Sequence, residues 1–135
     1  MNALNRRRFE RFALQPMYTP VCVREVGPAD GVVSGEPLEG HAYDISEGGV
    51  RFELDHPVKP GTRVTMQITL PAGDGPITDL KGSERNIIVF GNVVWLDDSE
   101  PGPARMAMTI TGYARLGDRE RLLRGLGSGR YRRAA

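Results

Sequence analysis

The chain has 135 residues, 39% hydrophobic and 26% charged, which is the profile of one ordinary globular domain with a modest core. Eighteen basic side chains against seventeen acidic ones leave a net charge of +1, so there is no whole-molecule attraction to nucleic acid or to an anionic membrane. The single Cys22 excludes an intramolecular disulfide, and no cysteine cluster points to structural zinc.

The first twelve residues, MNALNRRRFERF, hold four arginines and one glutamate and lack an apolar stretch of signal-peptide length. They read as a flexible arginine-rich arm over residues 1–12, with Phe9 and Phe12 anchoring it to the body of the domain. Residues 17–26 are rich in β-formers, with Val21 and Val23 on one face. Cys22 reads as a buried strand thiol rather than a nucleophile. A short strand is expected through Gly40-His41-Ala42-Tyr43, leading into a turn at Asp44. Val50, Phe52 and Leu54 alternate with Arg51 and Glu53, and residues 64–70 are apolar at every second position, as half-buried strands are. The loop at 71–86 is long and has no evident role. Residues 87–96 form the longest candidate strand, with Gly91 and Asn92 interrupting it as a bulge would. Met106, Met108 and Ile110 alternate in a last strand. Gly117 and Asp118 are placed to cap a helix over 119–124, ended by Gly125. Residues 127–135 read as a disordered tail.

Pro- and Gly-rich turns separate these runs, the pattern of an antiparallel barrel or sandwich. The expected organisation is an arm at 1–12, a barrel with its helix at 13–126, and the tail. The apolar runs at 87–90 and 93–96 are too short to cross a bilayer as a helix, and the expectation is a reduced, cytoplasmic protein.

Two segments carry chemistry. In Arg6-Arg7-Arg8-Phe9-Glu10-Arg11, Arg7 and Arg11 lie four residues apart. An arginine fork pairs bidentately with phosphate oxygens or with guanine O6 and N7, and its plane stacks on a base. Sixteen of the eighteen basic residues are arginine, so a solvated basic segment is the plainer reading of this stretch alone. In Asp44-Ile45-Ser46-Glu47-Gly48-Gly49, Asp and Ser suit a turn and glycine suits close approach or positive φ. A carboxylate there also matches the N1–H and amino edge of guanine, and a serine hydroxyl matches a phosphate. His41, Asp44 and Ser46 do not make a hydrolase triad, because no Gly-x-Ser-x-Gly elbow surrounds Ser46.

Together, in this order and spacing, the two segments resemble the RxxxR and [D/N]xSxxG signatures of PilZ domains, bacterial receptor domains for cyclic di-GMP. The resemblance extends over roughly residues 6–125. It implies an all-β fold, a six-stranded antiparallel barrel with one short C-terminal helix, and a receptor rather than an enzyme. It implies cyclic di-GMP as ligand, held by Arg6, Arg7, Arg11, Asp44, Ser46 and Gly49, with no metal and no catalytic residue. Arg6, directly before the RxxxR motif, implies a stacked pair of nucleotides. Alanine and isoleucine at 105–110, where the family commonly has a glycine, are a departure in the barrel wall. The expected partners are the nucleotide and an unidentified protein, reached when the ligand orders the arm. The alternatives are a PilZ-like interaction module without nucleotide and a small nucleic-acid-binding barrel.

Overall fold

A computed structural model describes residues 10–14, 19–27, 33–70, 85–129 and 131–134. Among them the elements run β1 (Phe12–Ala13), β2 (Pro20–Val26), β3 (Val33–Ile45), β4 (Gly49–Leu54), β5 (Arg63–Thr69), β6 (Asn86–Asp97), β7 (Ala104–Tyr113), helix α1 (Asp118–Gly127) and β8 (Arg132–Arg133). Neighbouring strands follow the order β2-β5-β6-β7-β4-β3, and a further β2–β3 pairing closes the ring. Every pairing is antiparallel. The six long strands thus form the closed barrel that the alternating pattern predicts, which removes the exposed edges of an open sheet.

The alternation sets which face is buried. Val50, Phe52 and Leu54 of β4 and Val64, Met66 and Ile68 of β5 are buried, and they meet Ile87, Val89 and Val93 of β6 and Met106 and Met108 of β7 in one core. The helix closes this core with Leu122 and Leu126. Cys22, expected as a buried thiol, is only half-buried, because it lies on the face of β2 opposite Val21 and Val23.

The bulge expected at Gly91 is present, with register shifts between Phe90 and Gly91 and again between Val93 and Trp95. A Cβ added at Gly91 would lie 1.8 Å from the Thr109 carbonyl oxygen, so β6 and β7 approach there as only glycine allows. Gly91→Ala is expected to destabilise by at least about 1–3 kcal/mol, read as a lowered urea midpoint with an unchanged slope.

Four further expectations are corrected. The strand before Asp44 begins at Val33, not near Gly40. Gly35 and Pro37 make that stretch read as a loop, yet it pairs with β2 from Val33 to His41. The helix runs through Gly125 to Gly127, because Gly125 is buried, with Leu70 and Tyr131 packed around it. The 127–135 segment is not a disordered tail throughout: Tyr131 is buried, and Arg132–Arg133 is a strand. Phe12, placed in the flexible arm, is in β1. That two-residue strand pairs with the end of β3 on one side and with β8 on the other. Of the 71–86 loop, residues 71–84 lie outside the described residues, and its far end is tied by the Leu70 N–H donating to the Arg85 carbonyl at 2.9 Å.

Candidate functional site

The outer face of the barrel carries a continuous cross-strand row. Arg132 of β8 lies opposite Ala13 of β1, Ala13 opposite Asp44 of β3, Asp44 opposite Arg51 of β4, Arg51 opposite Ala107 of β7, and Ala107 opposite Trp95 of β6. Residues directly opposite in antiparallel strands share a face, so all six point the same way. The other face of the same strands carries Ile45, Val50 and Phe52 into the core.

Asp44 is at the centre of this row. Its side chain is only 13% exposed, with Arg11 Nη1 at 3.8 Å and Arg51 Nε at 4.0 Å from its Oδ2. Both are ion-pair rather than hydrogen-bond distances. Burial pushes its carboxyl above the ordinary range, and the Arg11 and Arg51 charges only partly offset this. A carboxyl raised on folding makes the ionised form a burden on the native state. Its contribution to stability therefore improves as pH falls through the window just above the unfolded value. Asp44→Asn is accordingly expected to raise the melting temperature of the free protein slightly at neutral pH. Placing a charge where it destabilises the fold is a common mark of a binding site.

The following turn holds itself together. Ser46 is buried, and its Oγ accepts from the N–H groups of Gly48 and Gly49, each at 3.1 Å. Its N–H donates to the Gly49 carbonyl at 2.9 Å. Those bonds use the hydroxyl as acceptor, and its one O–H remains as a donor. Neither Gly48 nor Gly49 has positive φ, so conformational freedom is not why glycine stands there. At Gly49 the reason is proximity: a Cβ would lie 2.8 Å from the Met108 carbonyl oxygen. Glu47 is held from the other side, its carboxylate paired with Arg119 of α1 and its carbonyl accepting from the Tyr113 hydroxyl at 3.1 Å.

Arg11, Asp44, Ser46 and Gly49 are thus brought together at one end of β3. Arg6 and Arg7 lie outside the described residues. Reading the sequence missed Arg51, whose alternation with Phe52 was noted only as strand patterning. It missed Trp95, the chain's one tryptophan, 45% exposed on the same row. It also missed Asp118, which is fully buried beneath the helix and accepts from the Ile88 N–H at 3.0 Å, from Arg115 and from Arg121. No group of three or more His, Cys, Asp or Glu side chains among the described residues is arranged to hold a metal ion.

The fold resembles known structures at low sequence identity. The PilZ domain of YcgR from Escherichia coli, solved with cyclic di-GMP, superposes with a TM-score of 0.59 at 17% identity, covering 91% of this chain and 90% of that one. The Bacillus subtilis inhibitor of motility MotI/DgrA gives 0.58 at 20% identity over 93% of this chain. The Klebsiella pneumoniae MrkH–cyclic di-GMP complex gives 0.59 at 18% identity over 90%. The chain spans about half the length of the last two, 53% and 50%. No curated protein is a significant match in sequence. No described helix is long and apolar enough to cross a membrane. The PilZ domain model matches residues 5–126, nearly the whole barrel and its helix, and the chain belongs to the PilZ domain family.

Proposed function

We propose that this domain is a receptor for cyclic di-GMP, with Asp44 as the acceptor for a guanine edge. The observation that carries the reading is a desolvated carboxylate flanked by two guanidinium groups on an outward face, beside a serine whose hydroxyl proton is left to donate. Asp44 offers two oxygens to guanine N1–H and the exocyclic amine, a pairing that adenine does not supply. Arg7 and Arg11 supply forks for the phosphates or for guanine O6 and N7. Ser46 donates to a phosphate oxygen, and Gly49 keeps the strand flush with its neighbour. Arg6 favours two stacked nucleotides per protomer.

Because Phe12–Ala13 is already seated in the sheet, any ordering of the arm by ligand concerns residues before Glu10. Glu47, bonded to both Arg119 and Tyr113, links the turn to the helix, and a protein partner reads the ligand-bound face or this helix. Titration with cyclic di-GMP, with cyclic di-AMP, GTP and a short single-stranded oligonucleotide as controls, tests the reading. Heat and a change in Trp95 fluorescence are expected with cyclic di-GMP alone, at two nucleotides per protomer. No response at high micromolar ligand would overturn it, whereas a stoichiometry of one would remove only the role given to Arg6.

A further inference from the structure

Strand β8 has little apolar reason to be where it is. Arg132 and Arg133 are both exposed, and a charged two-residue strand at a sheet edge ordinarily stays in water. Here it is fixed from two directions. Tyr131, immediately before it, is buried against the helix at Gly125. The Ala134 N–H donates to the Arg11 carbonyl at 2.8 Å. Arg133 Nε lies 3.5 Å from Glu10 Oε2, but both side chains are exposed and the pair adds little. These contacts fix the register, Arg132 opposite Ala13 and Arg133 opposite Phe12.

That register separates two adjacent arginines. Arg133 shares the face of Phe12 and Ile45, the core-directed side of the ribbon. Arg132 shares the outward face of Ala13 and Asp44. Two strand spacings, roughly 10 Å, separate the Arg132 and Asp44 backbones, a gap that a dinucleotide and an extended arginine span together. Arg11 and Arg51 flank this carboxylate and Arg132 adds a third guanidinium on the same face, an excess of charge that suits an anion with several oxygens.

We propose that Arg132 is a ligand-contacting residue, which donates to a phosphodiester of the bound cyclic dinucleotide from the side of the site opposite Arg51. The inference rests on the cyclic di-GMP reading above and extends the site beyond its two sequence motifs, to a strand that neither motif contains. Ala13, between Arg132 and Asp44, is small enough to leave the approach open.

Calorimetric titration of cyclic di-GMP into the full chain tests it, with wild type, Arg132→Ala, Arg132→Lys and Arg133→Ala compared. Arg132→Ala is expected to weaken binding about five- to tenfold with an unchanged melting temperature in the free protein. Arg132→Lys, which keeps the charge and loses the fork, should fall between. Arg133→Ala, on the same strand with the same charge but the other face, should bind within twofold of wild type. Unchanged binding by Arg132→Ala would overturn the assignment while leaving the receptor reading intact. Equal losses from Arg132→Ala and Arg133→Ala would also overturn it, in favour of diffuse charge. A wild-type chain that takes up no cyclic di-GMP overturns both proposals at once.

Discussion

Replacing Arg11 by alanine is expected to weaken cyclic di-GMP binding at least tenfold while leaving the barrel folded. Arg11 lies with its fork 3.8 Å from Asp44, and the ligand contact proposed for it would be charge-assisted, worth about 1.5–3 kcal/mol. Its backbone carbonyl also accepts from the Ala134 N–H, a bond that alanine retains. A second effect follows from electrostatics. Removing the nearer of the two cations around Asp44 lets burial push that carboxyl up further, so the acceptor becomes easier to protonate. The affinity of Arg11→Ala should therefore fall more steeply than that of wild type as the solution is acidified toward the carboxylate range. Asp44→Ala should lose affinity too, and unlike Arg11→Ala it should narrow the preference for guanine over adenine. Lys59→Ala, outside the site, is the control. Titrations at two pH values check all of this, and a loss in Lys59→Ala equal to that in Arg11→Ala would point to general charge instead.

A large effect on stability, with its own pH dependence, is expected at Asp118. Burial acts to raise this carboxyl, but hydrogen bonds from Arg115, the Ile88 N–H and Arg121, with the Arg115 charge, more than offset it and hold it below the ordinary range. Its side chain is wholly buried and joins the first turn of α1 to β6. Asp118→Ala leaves the Ile88 N–H without its acceptor and two guanidinium groups without their anion. Removing one partner of a buried pair can cost about 3–5 kcal/mol, but these arginines are 44% and 33% exposed and regain water. A loss of about 2–3 kcal/mol is the expected result, measured by urea denaturation. The pH dependence has a definite sign. Because the folded carboxyl is depressed, its stabilisation is complete above the unfolded value near 4, and is lost as pH falls through the lower folded value. Wild type should thus lose stability in acid more steeply than Asp118→Ala, and the two curves should converge below that window. Parallel curves would mean that Asp118 acts by packing alone.

The barrel was legible because its signal is local. Val64, Met66 and Ile68 announce a half-buried strand whatever lies around them, and the same holds for Val50, Phe52 and Leu54. Gly91 announced its bulge because an isolated glycine in a strand pattern has few other uses. The first seven residues of β3 were not legible: Gly35 and Pro37 carry a loop signature, and only pairing with β2 makes a strand of them. Arg132–Arg133 was hidden for a related reason. Its pairing partner lies at the other end of the described chain, and two arginines near glycines have no strand propensity of their own. In the site, the Asp44–Gly49 turn was visible as a motif, whereas Arg51 was not. Its role depends on register between β3 and β4, which no spacing along one strand encodes. Asp118 looked like a helix cap. The Gly117 cap makes no side-chain bond, and what distinguishes Asp118 is its reach to Ile88 of another element.

The β1–β8 ribbon also has a place in time. It joins Phe12 to Arg133, the greatest sequence separation of any strand pairing here, whereas the barrel closes through contacts that are mostly nearer along the chain. Loop-closure entropy puts such a pairing late in folding. Two residues per strand, anchored mainly by Tyr131, place it among the parts that open at least free-energy expense once folding is complete. The ribbon beside Asp44 is therefore the last piece to assemble on the way in and the first to fray on the way out. Warming should weaken ligand uptake before the barrel itself melts, and a chain whose synthesis stops before residue 131 should keep its barrel and bind cyclic di-GMP more weakly.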